Sequence, residues 1–251
     1  MNILKFSLRG KMAHFKNPEV SNANLTFRQI HHTAIKGIIG AVIGLEGYNT
    51  TYLKGKKEPE FLTKLEGLGI GIIPNSYDGK FPMEELEYIN QTGHASKETG
   101  GTLIVYEEVL FEPSWDIYLD LSKLEVEVAK KIEDYVMNSK AKYFYYLGKN
   151  HYGAIIENCE LLDLDKVEQP KYISSLFDKK CIVFNDLIKS DADLVYGERE
   201  FFNSFFVPTK KNNMGYYDYK SLYFTNYYID QIKNVQNRLF IQHNNKIIEI
   251  L

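Results

Sequence analysis

The sequence predicts an α+β protein: a ferredoxin-like (RRM-like) domain with a glycine-rich helix and a long projection, followed by a small β-rich C-terminal part. Three observations predict it. A short apolar strand leads into an apolar helix that contains glycines. The segments that follow run in the order β–α–β, projection, β–β–α–β–β. Beyond about residue 165 the chain turns β-like and aromatic, with Phe201, Phe202, Phe205, Phe206, Tyr216, Tyr217, Tyr219, Tyr223, Phe224, Tyr227 and Tyr228. The expected division is residues 1–160 for the ferredoxin-like domain, with its projection at about 75–101, and residues 161–251 for the β-rich region. In such a fold one sheet face carries two helices and the other is left for RNA or a partner.

Residues 2–9 alternate apolar and polar positions and read as a strand. Residues 10–28 form a polar connection with Pro18 and several asparagines. The helix follows, to Leu45. Gly37, Gly40 and Gly44 lie at three- and four-residue spacing and share one face. A glycine inside a helix costs about 1 kcal/mol relative to alanine, so close approach of another element is expected there. Thr33 is the expected N-cap and Gly44 the left-handed residue that ends the helix. His31-His32 reads as a polar connection into it. Residues 47–63 are polar and lysine-rich, a loop or short helix. Residues 65–74 read as a strand with little side chain at Gly67, Gly69 and Gly71, a bare face on which the glycine helix is expected to pack.

Residues 75–101 carry turn residues, Pro82 and Gly100-Gly101 without core periodicity, the mark of a projection. Strands are expected over 102–111 and 116–121. Ser122 is the expected cap of a helix over 123–137, with Leu124, Val128, Ile132, Tyr135 and Val136 facing the core. Residues 142–147 and 153–159 read as two strands around the loop from Gly148 to Tyr152.

The 251 residues are 44% hydrophobic and 25% charged, as in soluble globular proteins. The apolar run 34–45 contains Lys36 and is far shorter than the ~20 residues that span a bilayer. Lys5 and Arg9 interrupt any N-terminal apolar stretch, so neither a signal peptide nor a membrane partner is expected, and a cytoplasmic location is. Cys159 and Cys181 lack metal-binding spacing, which points away from a zinc site and a disulfide framework. The Asp163/Asp165 and Asp191/Asp193 pairs read as solvated turn or strand faces, and no metal is expected. No phosphate-binding loop, dinucleotide fingerprint or nucleophile elbow occurs, so no cofactor is expected.

Net charge is −3, but it is unevenly spread. Residues 1–36 hold six Lys/Arg against Glu19 alone, +5, leaving −8 on the remainder. One face for a polyanion is the implied arrangement. Cations interleave with aromatics in three stretches: residues 5–28; residues 140–152, with Lys140, Lys142, Tyr143, Phe144, Tyr145, Tyr146, Lys149, His151 and Tyr152; and residues 199–228, with Arg199, Lys210, Lys211 and Lys220. Single-stranded RNA is recognised by this pairing, cations on phosphates and rings on splayed bases. Lys149 and His151 could also serve metal-independent RNA cleavage, a base taking the 2′-OH proton and a cation steadying the phosphorane.

The segments FSLRGKMAHF (residues 6–15), Phe27-Arg28 and TAIKGIIGAVIG (33–44) resemble the start of the CRISPR-associated (Cas) protein family five, RAMP-superfamily subunits of type I Cascade complexes. TGGTLIVYEEVLF (99–111) with WDIYL (115–119) resembles the return of that family's thumb into its core. YYLGKNH (145–151) resembles its Leu-Gly-basic loop. The likeness covers residues 1–160, and the long polar thumb resembles the type I-B branch. It implies a long β-hairpin thumb and a subunit for antiviral defence that binds the 5′ handle of CRISPR RNA and caps the backbone. Its implied neighbours are the first backbone subunit and the large PAM-reading subunit, with target DNA met indirectly. The thumb would pass over the guide and help displace a nucleotide. Arg9, Lys11, His14, Lys16, Arg28 and Lys36 would then contact handle phosphates, Phe15 and Phe27 would stack on bases, and Lys149 and His151 would assist. In one subtype the family member is the processing endoribonuclease, using tyrosine, lysine and an adjoining histidine. Here Asn150 separates Lys149 from His151 and no partner tyrosine is evident, so a non-catalytic subunit is expected, with cleavage of precursor CRISPR RNA as the alternative.

Overall fold

Alternation in the first strand, β1 (Asn2–Arg9), sends Leu4, Phe6 and Leu8 to one face and Ile3, Lys5 and Ser7 to the other. The computed structural model describes residues 1–20, 23–92, 100–182, 187–188, 200–211, 217–233 and 235–251. After β1 come β2 (Met12–Ala13), α1 (His32–Ile43), α2 (Tyr48–Leu53), α3 (Glu60–Lys64), β3 (Gly69–Pro74), β4 (Met83–Asn90), β5 (Leu103–Phe111), β6 (Ser114–Asp120), α4 (Val126–Met137) and β7 (Ile155–Asp163). The main sheet is antiparallel with order β3-β6-β1-β7. With α1 and α4 between its strands this is the βαββαβ arrangement of a ferredoxin-like fold. Phe6 opposes Ile117 and Leu8 opposes Trp115 beneath the helices, where Ile35, Ile39, Ile43, Ile132 and Val136 complete the core. Among the described residues no helix is long and apolar enough to cross a membrane.

The C-terminal region adds β8 (Phe177–Asp178), β9 (Leu187–Ile188), β10 (Phe202–Lys211), β11 (Tyr217–Thr225), β12 (Tyr228–Ile229), β13 (Leu239–His243) and β14 (Lys246–Ile250). β10 and β11 form a long antiparallel pair, and their Phe205, Val207, Leu222 and Phe224 join the main core. The β13–β14 hairpin lies on the second face of the main sheet, where Ile241, Ile248 and Ile250 pack on Ile3, Ile73 and Tyr118. Ile70 and Leu251 exchange backbone hydrogen bonds of 2.9 and 3.1 Å.

This hairpin changes two expectations. The bare strand face at Gly69 and Gly71 accepts the hairpin, not the glycine helix. A Cβ on Gly71 would lie 2.5 Å from Ile248, and one on Gly69 2.7 Å from Ile250. The second sheet face is therefore not an open RNA platform. Its uncovered part carries the pairs Lys5–Glu160, Ser7–Asp116 and Arg9–Glu157, with carboxylates unsuited to phosphate. The partner of the glycine helix is α3: a Cβ on Gly40 would stand 2.6 Å from that of Phe61.

Several boundaries also differ. His31, not Thr33, caps α1, its Nδ1 accepting from the Ala34 amide at 3.2 Å, while Thr33 donates to the Thr209 carbonyl. Gly44 ends the helix at φ +84°, as expected. α4 begins at Val126, because the Asp120 carboxylate accepts from the Ser122 amide and holds Ser122 in a turn. Residues 142–147 form no strand beyond a single bridge, Tyr146 to Gly153. The Lys142 and Tyr143 amides instead donate to the Val42 and Ala41 carbonyls at the end of α1. The projection is a β-hairpin, β4 against β5, and runs longer than residues 75–101: Met83 opposes Leu110 at its base and Asn90 opposes Leu103 near its tip.

Candidate nucleic-acid interface

The loop after Leu147 docks where the hairpin thumb leaves the body. The His14 amide donates to the Leu147 carbonyl at 3.0 Å, and Leu147 and Lys149 are tied to Tyr152 by backbone bonds of 2.8 and 2.9 Å. Gly148 holds φ +87° with its Cα facing the His14 carbonyl, so a Cβ there would collide with that oxygen. Only glycine meets both demands. From β5, the buried Glu107, 2% exposed, pairs with Lys149 and accepts from the Tyr152 hydroxyl at 2.8 Å. Tyr88 of β4 meets that hydroxyl at 3.2 Å. The buried His14 donates through Nδ1 to the Glu108 carbonyl at 2.7 Å.

His14 and Lys16 from one segment and Lys149 from another thus converge at the thumb base. Burial, then the charge on Lys16, pushes the Lys149 ammonium below its usual range. Burial also lowers His14, against the raising effect of the Glu108 carbonyl, with Lys149 and Lys16 adding to the depression. Lys16 is exposed and carries none of the described ion pairs. The thumb stem beyond adds exposed Glu84, Glu85 and Glu87.

Beside this locus runs a groove of about 620 Å³. Its floor is the small-residue face of α1, chiefly Gly37 and Ala41. One wall is Tyr143, Phe144 and Tyr146; the other is Tyr48, Asn49 and Thr50 from α2. Tyr143, Phe144 and Tyr146 are 54%, 67% and 42% exposed. Lys142 lies across Gly44 at one end, and Gly148 forms the other. Glu46 on the rim is held by both Lys54 and Lys56.

The expected contact residues scatter. His14, Lys16 and Lys149 come together. Lys11 and Arg28 are exposed without a described ion pair. Arg9 is engaged by both oxygens of Glu157, at 2.6 and 3.0 Å, and Lys36 donates to the Glu66 carbonyl. Phe15 and Phe27 are 3% and 5% exposed, edge-on to His31 within the core, and offer no ring face to a base. His151 is exposed, its ring 4.1 Å from that of Tyr152. Asp163 pairs with the amino group of Met1. Asp191, Asp193, Arg199 and Tyr216 lie outside the described residues, as do the side chains of Lys210 and Lys211. Tyr48, Tyr88 and Glu107 escaped the sequence reading. Glu107 sits in an apolar-alternating strand like a solvent-facing residue, and only the tertiary fold turns it toward Lys149.

No protein-family model matches the chain, and no curated protein matches it in sequence. Among its structural neighbours are CRISPR-associated proteins. The structure described as "Crystal structure of Cas protein" shares 11% identity over 91% of this chain and 95% of its own, with a TM-score of 0.44. A chain of a "CRISPR RNA-guided surveillance complex" shares 12% over 94% and 92%, with a TM-score of 0.49. A "CRISPR protein from Archaeoglobus fulgidus" shares 9% over 100% and 99%, with a TM-score of 0.43.

Proposed function

We propose that this chain is a non-catalytic RNA-binding subunit of a type I CRISPR Cascade complex, a member of Cas family five that holds the 5′ handle of CRISPR RNA and caps the backbone. The observation that carries this reading is the convergence of Lys16, His14 and Lys149 at the thumb base. Lys16, exposed and without a described ion pair, offers its charge to a phosphate, while buried His14 and the Glu107-held Lys149 fix the loop beside it. The motif likeness of residues 6–44 and 145–151 supplies the family, and a β-hairpin thumb over a βαββαβ core agrees with it. Lys11 and Arg28 extend the basic surface, and the backbone and large subunits are the proposed protein neighbours.

The non-catalytic part of the proposal draws on the engagement of Lys149 by Glu107 and on the ring of His151 lying edge-on to Tyr152. The experiment is incubation of purified protein with its own repeat RNA in EDTA, beside titration of labelled RNA at several salt concentrations. Intact RNA is expected, with a log–log salt slope that falls by about one unit in Lys16→Ala and in Arg28→Ala. Specific cleavage lost in His151→Ala overturns the non-catalytic reading, and an unchanged slope in both cation variants overturns the interface.

A further inference from the structure

We infer that the groove along α1 is a base slot: it receives unstacked bases of single-stranded RNA against Tyr143, Phe144 and Tyr146. The inference rests on the proposed RNA-binding role and adds to it how the strand is held and which strands are accepted.

The molecule buries or pairs most of its rings. Phe206 and Tyr219 stack at 4.6 Å, Phe201 lies on Phe224, and Phe81 and Phe15 pack on Trp115. Among the described residues no ring packs on the ring of Tyr143, Phe144 or Tyr146. Three exposed aromatics of one irregular segment line one side of one cavity, and that cavity is within the 300–1,000 Å³ range of small-ligand sites. The chain could have hidden these rings by extending residues 142–147 as a strand. It instead anchors the Lys142 and Tyr143 amides on the last turn of α1, which fixes the segment and leaves the side chains facing solvent.

The chemistry of the walls favours a nucleobase over a protein side chain. A base needs a ring face for its π-surface and amide or hydroxyl groups for its edge. The aromatic wall supplies the first, and Asn49 and Thr50 opposite supply the second. The flat floor at Gly37 and Ala41 admits a planar group. On the rim, Lys54 and Lys56 pair with Glu46, and Lys142 stands at the end opposite the Gly148 loop. A strand whose phosphates cross the Lys16–Lys149 locus would reach the groove through the Gly148 end. Duplex RNA presents no free base faces and is excluded from such a slot.

The test uses the full chain with fluorescent oligouridine, oligoadenosine and a blunt duplex of matched length. Tyr143→Ala, Phe144→Ala and Tyr146→Ala are each expected to weaken single-strand binding about 5- to 150-fold, with the salt slope and duplex affinity unchanged. Gly37→Leu fills the floor, where a Cβ meets only Phe61 at 3.9 Å, and is expected to do the same with an unaltered thermal melt. Single-strand affinity within twofold of wild type in all four variants overturns the slot. If those variants keep RNA affinity but fail to enter the assembled complex, the groove seats a protein and the slot is again wrong. Binding that responds to Lys16→Ala and not to the rings defeats the slot alone, whereas a wild-type chain that binds no RNA defeats the proposed function as well.

Discussion

Residues 5–28 and residues 140–152 look alike as sequence, each a short run of cations among aromatics, and they fold in opposite senses. The first turns its rings inward: Phe15 and Phe27 finish the core beside Trp115 and His31. The second turns Tyr143, Phe144 and Tyr146 outward and keeps Leu147 and Tyr152 inside, with half-buried Tyr145 packed on the core. The cause is position in the fold. Residues 10–28 pass between the thumb base and the N-terminus of α1, with Trp115 and Tyr219 covering them. Residues 142–147 run along the end of α1, and among the described residues no ring packs on those of Tyr143, Phe144 and Tyr146. An aromatic–basic run thus shows that a segment has the right materials for RNA, and neighbouring elements decide whether the rings are available.

Substitutions can break this contrast. Phe15→Ala should cost about 3–5 kcal/mol in urea unfolding, as for a fully buried ring. Phe144→Ala should stay within about 0.5 kcal/mol of wild type, as at an exposed site. Equal losses at both positions would erase the distinction. The two stretches meet at Gly148 against the His14 carbonyl, so Gly148→Ala combines a collision with an unfavourable φ. It should cost about 2–3 kcal/mol and release the Lys149 loop, read as faster amide exchange at Leu147 and Tyr152.

A pH dependence sharpens the account of the inward-facing stretch. Burial pushes His31 down to about 3, its neighbour His32 adding to this, and burial pushes His32 down to about 4, helped by Lys220 and Lys36. An unfolded histidine titrates near 6.5, so below that pH the unfolded chain binds more protons than the folded one. Stability should therefore hold above about pH 6.5 and fall as the pH drops toward 4, by about 1 kcal/mol per unit for each histidine. His31→Asn keeps a capping oxygen for the Ala34 amide and should flatten part of that slope. A slope unchanged in that variant would remove His31 from the explanation.

The sheet and the two main helices were legible in the sequence because their apolar residues keep the period of their elements. β1 is apolar at Leu4, Phe6 and Leu8, and α1 repeats Ile35, Ile38, Ile39, Val42 and Ile43. The thumb's first strand was not legible: Glu84, Glu85 and Glu87 around Leu86 leave one modest apolar face and no core signal. The partner of Gly69 and Gly71 was hidden because a glycine shows that something comes close without saying what, and Ile248 and Ile250 lie at the far end of the chain. Within the candidate interface, Lys16, His14 and Lys149 were legible as basic residues. Their convergence was not, since it depends on Leu147 bonding to His14 and Glu107 turning inward. Phe15 and Phe27 misled because residues 10–31 are mostly irregular, and no periodicity distinguishes a buried ring from an exposed one there.

The central claim is that RNA meets the outward-facing stretch. Ultraviolet cross-linking of the full chain to single-stranded RNA, read by mass spectrometry of the linked peptides, tests it most directly. Cross-links at Tyr143, Phe144 or Tyr146 are the predicted result. Efficient cross-linking confined to other exposed rings, such as Tyr52, Tyr106 or Phe206, with residues 143–146 unmodified, would contradict it.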